Sequence, residues 1–163
     1  MLFRSPRLEQ ALGSGGVGAA SLSIEITESH TARLQVAKEA IIELRARGHA
    51  VYIDDFGTGY SSLAYLQDLS VDGIKIDMAF TQAIGTESVT VSILPQILDM
   101  ARALKLDVIV EGVETTEQAA YFAGSQQTTL AQGWLFGKPA PVAVLERLLT
   151  EQCETSAVGA GVS

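Results

Sequence analysis

Four short stretches share one arrangement: aliphatic side chains alternate along the chain, with a single charge set out of phase with them. They are Ile24-Glu25-Ile26, Val51-Tyr52-Ile53-Asp54, Ile74-Lys75-Ile76 and Val108-Ile109-Val110-Glu111. Successive side chains of an extended chain point to opposite faces, so each stretch makes a strand with aliphatics on one face and its charge on the other. Strands are expected over Leu22–Thr27, Ala50–Asp54, Gly73–Asp77, Asp107–Glu111 and Gly133–Phe136. Leu34, Ala37, Ile41 and Leu44 fall at helical spacing and Gly48 follows as a stop, which predicts a helix over Thr31–Arg47. A short helix opens at Ser61–Leu66, and a long one covers Val89–Leu104, where Pro95 marks a kink or a late start. Further helices are expected over Thr116–Ala123 and Val142–Gln152, and the small-residue segment Glu154–Ser163 is expected to be disordered.

Strands that alternate with helices make βα units and a parallel sheet. An open sheet covered by helices on both faces needs both faces apolar. Here the charges Glu25, Asp54, Lys75 and Glu111 converge on one face. That suits a barrel, whose interior opens to a site at the C-terminal strand ends. A buried charge cluster without partners would be prohibitive, so three acids and a lysine brought together imply a metal and phosphate site.

The second strand sharpens this. It runs VYIDDFGTGY, Val51 to Tyr60, and ends in two adjacent acids, Asp54 and Asp55. Such an ending costs stability unless a cation lies there. Taken alone the pair is an ordinary solvated loop feature; the other charged strand ends change that.

Composition narrows the classes. The chain has 163 residues, 47% hydrophobic and 18% charged, which is globular. Its net charge of -8 and pI near 4.7 argue against a nucleic-acid polymer or an anionic membrane as partner. An anionic ligand would need metal ions to bring it in. Cys153 is the single cysteine, which excludes a disulfide framework and a cysteine metal site. The apolar runs are too short to span a bilayer and no signal peptide is evident, so a cytoplasmic setting is expected by default.

Several motifs lead nowhere. Gly13–Gly18 fits GxGxxG but precedes a strand, not a helix. Asp55-Phe56-Gly57 mimics a kinase motif without the His-Arg-Asp loop. Trp134 is expected to pack inside the barrel in preference to stacking on a base, and His30, His49 and Cys153 are expected to be bystanders.

Five segments together resemble the EAL domain, a family of bacterial phosphodiesterases that open cyclic-di-GMP to the linear dinucleotide pGpG using Mg²⁺ or Mn²⁺. They are IEITES (Ile24–Ser29), IDDFGTGYSSLAYL (Ile53–Leu66), VDGIKID (Val71–Asp77), VEGVET (Val110–Thr115) and QGWLFGKP (Gln132–Pro139), in the family's order. The resemblance runs from about Arg4 to Leu149. It implies an α/β, TIM-like (β/α) barrel with a two-metal site. It implies Glu25, Asp54, Asp55 and Glu111 as metal ligands. It also implies that Lys75 orients the attacking water and faces the phosphate, and that Gln132 positions a water or a metal. Glu114 resembles an acid near the second metal, and Glu28 one that holds the loop in which Gly57 and Gly59 allow a tight turn.

The family's Glu-Ala-Leu tripeptide is absent here, and Glu39-Ala40-Ile41 falls mid-helix. The family also uses an asparagine ligand on the next strand, and this chain has no asparagine. A complete barrel of this kind takes about 200 to 250 residues. The expectation is therefore an incomplete barrel: about the last five strands with their helices, a partial EAL domain over residues 1–153 and a tail over 154–163. Two readings stay open. One is part of a phosphodiesterase, inactive on its own. The other is a degenerate EAL module that binds cyclic-di-GMP or a protein without cleaving it. A second copy of the chain, or attached signalling domains, are the expected protein partners.

Overall fold

The computed structural model describes residues 18–27, 34–57, 63–86, 89–125 and 127–159. After a 3-10 turn at Ala19–Ser21, the elements are β1 (Ser23–Thr27), α1 (Leu34–Ala46), β2 (Ala50–Phe56), α2 (Leu63–Leu69), β3 (Gly73–Ile76), α3 (Met78–Gln82), α4 (Val89–Leu104), β4 (Asp107–Val110), α5 (Thr116–Ala123), β5 (Thr128–Ala131) and α6 (Val142–Gly159). The five strands form one sheet in the order β1-β2-β3-β4-β5, every neighbouring pair parallel. A doubly wound sheet reverses its order at a switch point. This one does not, which agrees with an α/β sheet of the barrel type.

The alternation seen in the sequence holds. Val51, Ile53, Ile74, Ile76, Val108 and Val110 are fully buried. They meet Ile41, Leu94 and Ala101 from the helices to form the core. The register aligns Glu25 with Tyr52, Thr27 with Asp54, and Lys75 with Ile109. The opposite face therefore carries the charges toward the C-terminal strand ends. At the other end Asp72 ties the strand starts together. Its Oδ2 accepts from Val51 N at 2.8 Å and its Oδ1 from Arg45 Nη2 at 2.8 Å, and its carbonyl accepts from Asp107 N at 3.0 Å.

The structure corrects three expectations. The last strand is Thr128–Ala131, and Gly133–Phe136 is a turn, in which Phe136 N and Gly137 N both donate to Gly133 O. The chain turns there because Gly133 lies against the Val113 backbone: a Cβ on it would stand 2.1 Å from Val113 O. The apolar, aromatic character of the segment suggested a strand, but close approach decided. The five-residue helix α3 was not expected; it is too short for periodicity to show, and Asp77, expected to end a strand, caps it by accepting from Ala79 N at 2.8 Å. The closing helix, expected to stop at Gln152, runs to Gly159. Pro95 lies inside α4 without ending it.

Candidate metal centre and groove

Lys75 stands at the middle of the charged face. Its neighbours Ile74 and Ile76 anchor β3 in the core, and alternation turns the lysine the other way. The side chain is only 6% exposed, and Nζ lies 2.6 Å from Glu111 Oε1, 2.9 Å from Glu25 Oε2 and 3.1 Å from Asp54 Oδ1. An ammonium has three hydrogens to donate, and each here has a carboxylate. Burial alone would lower the amine's pKa. The bonds to Glu111, Glu25 and Asp54 outweigh that and hold it above the ordinary lysine range. Lys75 is therefore a fixed cation at neutral pH.

The acids come from different strands. Glu25 sits on β1, Asp54 and Asp55 on β2, and Glu111 directly after β4, its N–H donating to Ile76 O at 3.1 Å. Strict alternation would send Asp55 away from Asp54. The strand breaks register between Ile53 and Phe56, and Asp55 takes a left-handed φ of 55°. Both aspartates thereby join Glu111, with oxygens of all three within 4.8 Å of one another. Crowding has a cost. Partial burial, then the charges of Asp54 and Asp77, raise the Asp55 pKa against the opposing pull of Lys75. Asp54 Oδ1 is buried and, apart from the lysine, has no hydrogen-bond partner among the described residues. Crowded oxygen donors with an under-bonded buried oxygen fit a hard divalent cation.

Gln132 closes one side. It follows β5, its N–H donates to Val110 O at 2.9 Å, and its Nε2 donates to Glu111 Oε1 at 2.7 Å. That oxygen thus receives both Lys75 and Gln132. A groove of about 1080 Å³ leads away from Glu111 and Gln132 and is lined further by Glu114, Met78, Trp134 and Phe136. The groove approaches the acids across Gly112, which has φ 67° with Met78 Cβ 2.6 Å from where its own Cβ would be; Gly57, at the end of β2, has φ 96° and lies against the Phe80 ring on the core side.

The expected residues sort plainly. Asp54, Asp55 and Glu111 cluster as possible ligands. Glu25 reaches the site through Lys75 and stands outside that cluster. Lys75 and Gln132 touch it, and Glu114 lines the groove, its backbone N–H held by Gln118 Oε1 at 2.8 Å. Glu28 and Gly59 lie outside the described residues. Trp134, expected to pack inside, is 60% exposed with Lys138 Nζ 4.9 Å above its ring. Sequence reasoning missed Gln118, which caps α5 with Thr115 and donates from Nε2 to Thr81 O at 3.1 Å, fixing the turn after Glu111 to α3. The Thr-x-x-Gln spacing at Thr115 was the available signal.

A parallel α/β sheet with carboxylates from separate strands gathered at its C-terminal ends is the arrangement of a barrel-type metal site. The sequence model of the EAL domain matches residues 5–139, and the chain belongs to the EAL domain family. It is 42% identical over 125 residues to the Probable cyclic di-GMP phosphodiesterase PdeB of Escherichia coli (strain K12), covering 77% of this chain and 23% of that protein. The chain thus spans a minor part of that relative's length. Among solved structures it resembles the PaMucR phosphodiesterase in complex with c-di-GMP, with TM-score 0.78, 35% identity, and coverage of 86% of this chain and 57% of that one. It also resembles Klebsiella pneumoniae BlrP1 in a manganese/cy-diGMP complex, with TM-score 0.73, 29% identity, and coverage of 83% and 34%. Among the described residues no helix is long and apolar enough to cross a membrane.

Proposed function

We propose that the chain carries part of the catalytic site of a metal-dependent cyclic-di-GMP phosphodiesterase that yields linear pGpG, and that it does not turn over by itself. The observation that carries this is the convergence of Asp54, Asp55 and Glu111 beside the buried Lys75. Asp54, Asp55 and Glu111, with Glu25 adjacent, would hold Mg²⁺ or Mn²⁺. Such an ion, when bound, lowers the pKa of a water and shields phosphodiester charge. The chain's own residues do the rest. Gln132 fixes the Glu111 carboxylate, and Lys75 remains protonated, so it donates to a phosphate oxygen or a water and does not act as a base. Glu114 lies along the groove in which the dinucleotide would sit.

The lack of turnover follows from the donor set. The family's Glu-Ala-Leu glutamate and its asparagine have no counterpart here, and losing ligands costs a metal site heavily. The chain also spans 57% of the PaMucR chain it resembles. We read residues 1–153 as a partial EAL domain, with the remaining βα units as its natural complement, in a cytoplasmic setting. Cyclic-di-GMP incubated with the purified chain and Mn²⁺, followed by chromatography, should give no linear product above the metal blank. Turnover near 1 per second, an ordinary enzyme rate, would overturn the inactivity. The absent tripeptide also favours a second reading, a module that binds cyclic-di-GMP or a protein without cleaving it. Calorimetric binding of cyclic-di-GMP by the chain alone, with no product even after the complementary units are added, would favour that reading.

A further inference from the structure

Lys75 makes contacts that its expected role toward a phosphate does not require. Its ammonium is buried and spends all three hydrogens on carboxylates, and two of those, Asp54 and Glu111, belong to the cluster suited to a divalent ion. Glu111 Oε1 takes Lys75 on one side and Gln132 on the other, so both lone pairs of that oxygen are in use. Asp54 Oδ1 has the lysine beside it and, apart from that contact, no hydrogen-bond partner among the described residues. A divalent ion drawing on these oxygens would meet a compact unit charge already among them. We propose that Lys75 is a resident counter-cation: it substitutes for the divalent ion between Asp54 and Glu111, keeps the metal-free acids together, and must give up those two bonds when the ion enters.

The inference rests on the reading of Asp54, Asp55 and Glu111 as metal ligands. The lysine is suited to the exchange. Its four-carbon stem is flexible, its charge is a point charge without fixed directionality, and Glu25, 45% exposed, stays available as a partner outside the cluster. Metal affinity is then a difference between two cations at one set of oxygens, and the lysine lowers it.

The test is calorimetry with Mn²⁺ on the full chain and on Lys75→Met, which keeps the stem and removes the charge. The variant should bind Mn²⁺ at least about tenfold more tightly, since a like charge a few Å away is worth that much even in a strongly screening medium. It should also melt lower than the wild type in chelator, and the gap should narrow or invert with saturating Mn²⁺. Equal or weaker Mn²⁺ binding by Lys75→Met, with the wild type binding, would overturn the inference while leaving the metal site standing. Binding by neither protein would remove the ligand reading and the inference with it. Tight binding by the variant alone would support the exchange most strongly. If Lys75→Met does not fold, ¹⁵N-labelled lysine in the wild type answers the same question with diamagnetic Mg²⁺. The shielded Lys75 ammonium resonance should shift or exchange faster with water as Mg²⁺ is added. A resonance unmoved at saturating Mg²⁺ would also refute the exchange.

Discussion

Replacing Asp55 by Asn should stabilise the metal-free chain, although Asp55 occupies the candidate site. Asn has nearly the same shape, retains a carbonyl acceptor and tolerates the left-handed φ of 55° better than most residues. The change therefore isolates the charge. In the folded chain that charge lies within 4.8 Å of carboxylate oxygens of Asp54 and Glu111, and its pKa is raised by partial burial and then by Asp54 and Asp77. Two like charges at this separation repel by roughly 1 kcal/mol in a water-like medium and about 3 at an effective dielectric constant of 20. The site opens toward solvent and Lys75 offsets part of the field, so the lower end applies. A gain of about 1 kcal/mol corresponds to roughly 2–4 °C in Tm for a chain of this size. The pH dependence follows from the sign of the shift. A carboxyl with a raised pKa binds its proton more tightly folded than unfolded, so stability falls as pH rises through that interval. The advantage of Asp55→Asn should be full above the raised pKa and should vanish below the unfolded value near 3.8. Thermal melts in chelator at neutral and acid pH test this, with Mn²⁺ added as a second arm in which the wild type gains more than the variant. A variant that melts below the wild type at neutral pH in chelator would refute the electrostatic account of the strand end.

Two further outcomes are expected, each readable by denaturant unfolding. Gly112→Ala should destabilise the chain by at least about 1 kcal/mol, because alanine disfavours φ 67° and its Cβ would meet that of Met78; a neutral effect would mean that the turn after Glu111 is free to move. Asp72→Ala should cost about 1–3 kcal/mol, chiefly by stranding the Val51 N–H, since Arg45 keeps Ser70 O and solvent; Mn²⁺ affinity should change little because Asp72 lies at the opposite end of the sheet, and a large loss of metal binding would contradict that separation.

The sequence by itself determined the sheet and which strands carry charge. Alternation is a local property of extended backbone, so Glu25, Asp54, Lys75 and Glu111 could be assigned to one face before any packing was known, and the βα order implied parallel neighbours. The helices Val89–Leu104 and Thr116–Ala123 were legible because helical patterning is also local. The last strand was not. Gly133–Phe136 looks extended by composition, and only the backbone of Val113 beside Gly133 makes it a turn and leaves pairing to Thr128–Ala131. Asp55 shows the same limit at the site. Alternation places it opposite Asp54, and the register break in β2 brings the two together. The partners of Lys75 come from β1, β2 and the end of β4, and no spacing along the chain encodes their distances. Long-range pairing set them, because a carboxylate's place depends on the strand next to it as well as on the residues beside it in the chain.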